Sequence, residues 1–162
     1  MQDNDQSNPP NATDRVKRHM DQALAQARLA AAREEVPVGA VLVAADGAVL
    51  AADGNRTREL SDPTAHAEML VIRQAAARVG AERLTGANLY VTLEPCPMCA
   101  AAISLARIRR LYWGASDPKG GGVEHGPRIF TQPTCHHVPE HYGGFSETEA
   151  ARLLVAFFSA RR

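Results

Sequence analysis

The sequence has little of three things: net charge, cysteine and unbroken apolar chain. Its 18 Lys and Arg are matched by 18 Asp and Glu. Bulk charge therefore selects no polyanionic partner, and nucleic-acid binding would need local clustering of basic residues. The longest apolar stretches, such as GAVLVAA at 39–45, fall far short of the ~18 residues a membrane span needs. The opening MQDNDQSNPPNATD lacks the apolar core of a signal peptide. A cytoplasmic, reducing location is expected, and there the three cysteines read as ligands or catalysts rather than disulfide staples.

What is present suffices for one domain. With 162 residues, 45% of them hydrophobic and 22% charged, the chain falls among soluble globular proteins with one real core. Residues 1–12, rich in Asn, Gln, Asp and Pro, read as a disordered lead-in, and 13–162 as a single domain. From Asp14, the residues Val16, Met20, Ala23, Leu24, Ala27 and Ala31 share one helical face, which Pro37 and Gly39 are expected to end. AVLVA and AVLAA flank Asp46-Gly47, a hairpin signal. A second helix runs to Val79, with Asp62 or Thr64 as its cap, and Gly80 stops it. NLYVTL (88–93) and RRLYWGA (109–115) read as strands on either side of a helix that begins after Pro95. A short edge strand is expected near His137–Tyr142, then a final helix with Ser146 as cap and Glu149 completing a capping box. The order α-β-β-α-β-α-β-β-α predicts an α/β fold, a three-layer α/β/α sandwich with a mixed, roughly five-stranded sheet.

The chemistry gathers in two stretches, PTAHAEML (63–70) and TLEPCPMCAAAIS (92–104). The pair Cys96 and Cys99 alone is ambiguous among a redox dithiol, half of a structural zinc site and part of a catalytic one. At i and i+3 in a first helical turn their sulfurs point the same way, and the positive helix end favours the thiolate. His66 opens a helix of its own, and the two helix N-termini are expected to converge on one point. His66, Cys96 and Cys99 then form a three-ligand zinc set with one position left for water, as catalytic zinc requires. Glu68, two residues beyond His66, is placed to take a proton from that water and hand it on. HAE with PCPMC fits the H-x-E…P-C-x-x-C arrangement of zinc nucleobase deaminases. A closed structural site would want a fourth ligand. The candidates in TCHH (134–137), Cys135, His136 and His137, are adjacent on an extended chain and chelate one ion poorly, so that stretch reads as a polar loop or edge strand. PKGGG (118–122) lacks the features of a phosphate loop and reads as a mobile loop.

These motifs carry a resemblance. Through REEVPVGAVLV (33–43), GNRTRELSDPTAHAEML (54–70), LYVTLEPCPMCAAAI (89–103) and YWGASDPKGGG (112–122), the chain resembles the bacterial tRNA-specific adenosine deaminases of the cytidine-deaminase-like superfamily. The resemblance runs from about Asp21 to the C-terminus and departs in the loop after Lys119. It implies the cytidine-deaminase-like fold, conversion of adenosine to inosine at the wobble position of a tRNA anticodon (typically an arginine tRNA), one zinc ion per subunit, and a homodimer. It also implies that Asn55 contacts the purine nucleoside, that Val36 walls its pocket, and that the Ala67 backbone meets the base edge. Asp117 and Lys119 would face the neighbouring nucleotide. Arg107, Arg109, Arg110, Lys119, Arg128, Arg161 and Arg162 give the second half a basic excess suited to an RNA backbone if they share a face. Two rivals stay open: a guanine or free-nucleoside deaminase of the same superfamily, and a non-catalytic zinc-stabilised RNA-binding module. An uncoordinated Glu68 argues against the second.

Overall fold

The computed structural model describes residues 11–162; most of the lead-in, residues 1–10, lies outside the described residues. Helix α1 spans Ala12–Ala32, and Asn11 caps it by accepting the Asp14 N–H at 2.8 Å. The chain continues through β1 (Gly39–Val43), β2 (Val49–Gly54), α2 (Ala67–Val79), β3 (Asn88–Leu93), α3 (Pro97–Leu105), β4 (Arg110–Ala115), β5 (Glu140–Tyr142) and α4 (Glu147–Ser159). A single 3-10 turn, Ile129–Thr131, interrupts the long connection before β5.

The five strands order as β2-β1-β3-β4-β5. The hairpin β1–β2 and the pair β1–β3 are antiparallel, whereas β3–β4 and β4–β5 are parallel. A parallel pair needs a long crossover, and α3 supplies it between β3 and β4. Side chains alternate across the sheet. Ala40, Leu42, Leu89, Val91, Leu111 and Trp113 join the core beneath α2 and α3, while Val41, Val43 and Tyr90 meet Val16, Met20 and Ala23 of α1 on the other side. Helix α4 packs beside α1 through Ala150 and Leu24. The result is the expected three-layer sandwich with a mixed sheet.

Three local expectations change. Helix α1 ends at Ala32, before Pro37, and Gly39 has another task. A Cβ there would lie 2.0 Å from the Ala23 carbonyl oxygen, so glycine lets α1 and β1 touch backbone to backbone. Ala30 and His19 join the buried stripe of α1 while Ala31 is half-buried. At α4, Ser146 adopts a left-handed conformation (φ 54°) and its hydroxyl caps nothing; Glu149 pairs with Arg28 of α1 instead, so the capping box does not form.

Candidate metal centre and active site

Helices α2 and α3 lie side by side, and their N-termini meet at the end of the sheet where β3 runs out. His66 is the N-cap of α2, Cys96 the N-cap of α3, and Cys99 sits in its first turn. The His66 side chain bonds nothing in its own helix, and the Cys96 sulfur stays with Cys99 in the first turn of α3, so both side chains face one point. Asp62 and Thr64 do not cap α2: Asp62 holds the Thr64 N–H and hydroxyl in a turn of its own. The cap comes from Asn55, whose side-chain oxygen accepts the Ala67 N–H at 2.8 Å.

The His66 Nδ1 lies 3.6 Å from the Cys96 sulfur and 3.5 Å from the Cys99 sulfur. Tetrahedral zinc with Zn–S of about 2.3 Å and Zn–N of about 2.0 Å places N and S about 3.5 Å apart. The donor set therefore fits zinc in kind and spacing. Among the described residues this is the one group of three or more His, Cys, Asp or Glu side chains able to hold an ion. The Cys135 sulfur is turned elsewhere, toward the Ser104 hydroxyl and the His137 carbonyl, and the His137 ring meets the Ile108 carbonyl.

Electrostatics match this chemistry at Cys96 and Glu68. The Cys96 thiol is lowered to about 4, first by the hydrogen bond from the Cys99 thiol, with His66 and the Cys99 N–H adding to it against burial. Cys99 is pushed up by the same bond and by burial. The His66 ring is raised chiefly by its bond to Cys96. Thiolate character at a helix N-terminus is the ligand form. Glu68 is 4% exposed, and burial pushes its carboxyl up to about 7. A carboxyl that gains and loses protons near neutrality suits general acid–base work.

Two buried glutamates that the sequence reading passed over shape the surroundings. Glu35, 1% exposed, accepts the backbone N–H groups of Arg58 and Glu59 and the Thr57 hydroxyl, fixing the loop that carries Asn55. Glu94, also 1% exposed, accepts the N–H groups of Asp117, Val123, Glu124 and His125, and meets the His125 ring at 2.7 Å. The loop 117–126 is thus clasped rather than mobile. Its glycines allow close approach: a Cβ on Gly122 would fall 2.5 Å from the Pro97 nitrogen and 2.8 Å from the Cys96 carbonyl carbon. The one legible signal for either glutamate was a charge set within an apolar run, in EEVPVGAV and VTLEPC.

The remaining expected residues fall into place unequally. Asn55 is buried beside Ala67, and Val36 is half-buried against the core under α2. The Asp117 carboxylate is occupied with the Lys119 and Gly120 N–H groups, and the Lys119 side chain is exposed. The basic residues do not gather on one face. Arg109 and Arg110 stand at the start of β4, whereas Lys119 belongs to the loop beyond its far end.

A sandwich whose parallel strands end at a His-Cys-Cys triad with a buried carboxyl beside it is the frame of a zinc hydrolase. The family model described as the cytidine and deoxycytidylate deaminase zinc-binding region matches residues 13–115, and the chain belongs to that family. Its relatives narrow the class to the tRNA-specific adenosine deaminases. The chain is 64% identical over 143 residues to the tRNA-specific adenosine deaminase of Agrobacterium fabrum, covering 88% of this chain and 93% of that one. The Bacillus subtilis enzyme of the same name is 42% identical over 144 residues, 89% of each chain. A solved structure from work on A-to-I editing by tRNA:A34 deaminases superposes with a TM-score of 0.83 at 65% identity, covering 85% of this chain and 99% of that one. A guanine deaminase from Bacillus subtilis is more distant, with a TM-score of 0.60 at 29% identity over 90% of this chain and 92% of that one.

Proposed function

We propose that the protein hydrolyses adenosine to inosine at the wobble position of a tRNA anticodon, using zinc held by His66, Cys96 and Cys99. The observation that carries this is the triad at tetrahedral spacing with the buried Glu68 beside it. Zinc, one ion per subunit, supplies Lewis acidity when bound and lowers the pKa of a water at its open position. Glu68 would take one proton from the attacking water and return it to adenine N1, then carry the second, from the hydroxyl left on C6, to the departing amino nitrogen. The C6–N bond breaks, a C6–O bond forms, and ammonia leaves. The rise of Glu68 to about 7 keeps both directions of transfer near balance at neutral pH.

The target base must leave its stack to reach the triad, which an anticodon loop allows. Val36 supplies an apolar wall for it. Asn55 spends its carbonyl on Ala67, so its amide N–H₂ is the end left for a purine acceptor. The Ala67 N–H is committed by the same bond and its methyl is packed in the core, so the backbone carbonyl is the part of Ala67 that would meet the base edge. Lys119, exposed at the loop tip, is suited to a flanking phosphate, and Asp117 holds the loop in shape for it. An arginine tRNA as substrate, a homodimer, a cytoplasmic location and a single domain over 13–162 complete the proposal. Leu105 on α3, 75% exposed, borders a hollow with Ala101, Ile129 and Cys135 and is an apolar surface suited to a second copy. No helix among the described residues is long and apolar enough to cross a membrane.

The test is inosine formation by the purified protein on an anticodon stem-loop, on free adenosine and on guanine. Turnover of the stem-loop alone is expected. Turnover of guanine without the stem-loop would replace this reading with that of a free-base deaminase.

A further inference from the structure

At the end of the sheet opposite the triad, a cleft of about 530 Å³ opens between the start of α1 and the starts of β3 and β4. It is lined by Arg15, Arg18, Arg109 and Arg110, with Tyr90 and Tyr112 among its other walls. Asp46 is the one acid among its lining residues, and it accepts the Ala48 N–H of its own turn. Of the four arginines, Arg110 is engaged by Glu140 at 2.8 Å; Arg15, Arg18 and Arg109 are exposed and enter no ion pair among the described residues. The triad cannot share this site. Asn88, in the cleft, and Leu93, at the catalytic end, lie five residues apart along β3, about 17 Å of extended chain.

We propose that this cleft is a second, non-catalytic site that binds phosphate groups, either those of the substrate RNA beyond its anticodon loop or those of a free nucleotide. Four independent features converge on that chemistry. The first is the excess of guanidinium groups, the side chain best matched to phosphate. The second is the N-terminus of the 21-residue helix α1, whose Ala12 and Arg15 line the cleft and whose positive end favours an anion there. The third is Asn88, half-buried on the cleft wall, whose amide N–H₂ can donate to an anion there. The fourth is the pair Tyr90 and Tyr112. Their rings stack on each other at 4.9 Å and their outer faces meet His19 and Tyr142, so they leave no free face to a base and offer only their hydroxyls as donors. Recognition is therefore by charge and donated hydrogen bonds rather than by base stacking. The RNA source rests on the tRNA reading above; the free-nucleotide source does not.

The variant Arg15→Ala/Arg18→Ala/Arg109→Ala tests this, because none of the three touches the triad or its loops. Three probes are compared: a full-length tRNA, the isolated anticodon stem-loop, and inorganic pyrophosphate. If the RNA backbone fills the cleft, KM for full-length tRNA rises about tenfold or more, and the salt slope of binding falls by roughly one for each arginine removed. Kinetics on the stem-loop stay as they were. If a free nucleotide fills it, pyrophosphate raises the Tm of the parent protein and not of the variant, while both RNAs are processed as before. Unchanged tRNA kinetics together with no pyrophosphate effect would overturn the proposal, as would an equal loss on tRNA and stem-loop. Should the parent protein deaminate neither RNA, the tRNA reading fails by itself, and the pyrophosphate arm still decides the cleft.

Discussion

Glu68 is the residue on which the proposed chemistry turns. Its carboxyl is buried but outside the triad, so Glu68→Gln is expected to lower kcat by about 10²- to 10⁴-fold, the usual worth of a general acid–base group. Zinc content, read by elemental analysis, is expected to stay at the parent level; loss of zinc would make Glu68 a ligand. Cys135 gives the complementary case. Its sulfur serves Ser104 and His137, so Cys135→Ser should leave both zinc content and turnover unchanged. Gly122 carries a different burden, since a methyl there would push on the backbone of Pro97 and Cys96. Gly122→Ala is expected to cost about 1–3 kcal/mol in overpacking and to weaken zinc retention, because the displaced segment is the one that aims Cys96. Thermal melts and zinc content of the same sample would check both effects.

At the scale of elements, the site is two helix starts and two loops, each loop held by one buried glutamate. Glu94→Ala would strand four loop N–H groups in a water-poor site, at about 1–3 kcal/mol for each donor left unpaired. The expected outcome is faster amide hydrogen exchange over 117–126 and a raised KM for the stem-loop. Glu35→Ala should do the same to the loop 57–59 without touching 117–126, so the two exchange maps should not overlap. This division also explains what the sequence could disclose. His66 with Glu68, two residues on, and Cys96 with Cys99, three residues on, were legible because these spacings are written in the side chains themselves. The strands 88–93 and 110–115 were legible for a like reason, β-branched and aromatic runs bounded by breakers. Glu35 and Glu94 were hidden because most of their partners are backbone N–H groups, which every residue but proline carries. The failed capping box at Ser146 shows the converse: the local pattern was right, but the left-handed turn after Gly144 and the pull of Arg28 on Glu149 decided the geometry. The basic residues were countable in the sequence, but their split between the two ends of the sheet follows from strand order, which composition does not encode.

For the whole molecule, the triad ties α2 to α3 across a sequence gap of thirty residues, His66 to Cys96. Binding an ion in the folded state alone stabilises that state, by about 4 kcal/mol when the free ion is a thousandfold above its Kd. Chelation should therefore lower Tm by roughly 8–16 °C for a domain of this size, and zinc should restore it. An unchanged melt after verified metal loss would mean that the apolar core beneath α2 and α3 holds the helices without help.

The clasp made by Glu94 has a consequence for how such a scaffold changes over generations. Apart from the His125 ring it grips main-chain atoms, so it is indifferent to the side chains at Pro118, Lys119 and Glu124, all of which are exposed. The rim of the pocket can therefore be rewritten residue by residue while the hydrolytic machinery stays registered. Diversified libraries at those three positions should shift which nucleotides flank an accepted target, and leave zinc occupancy and fold intact.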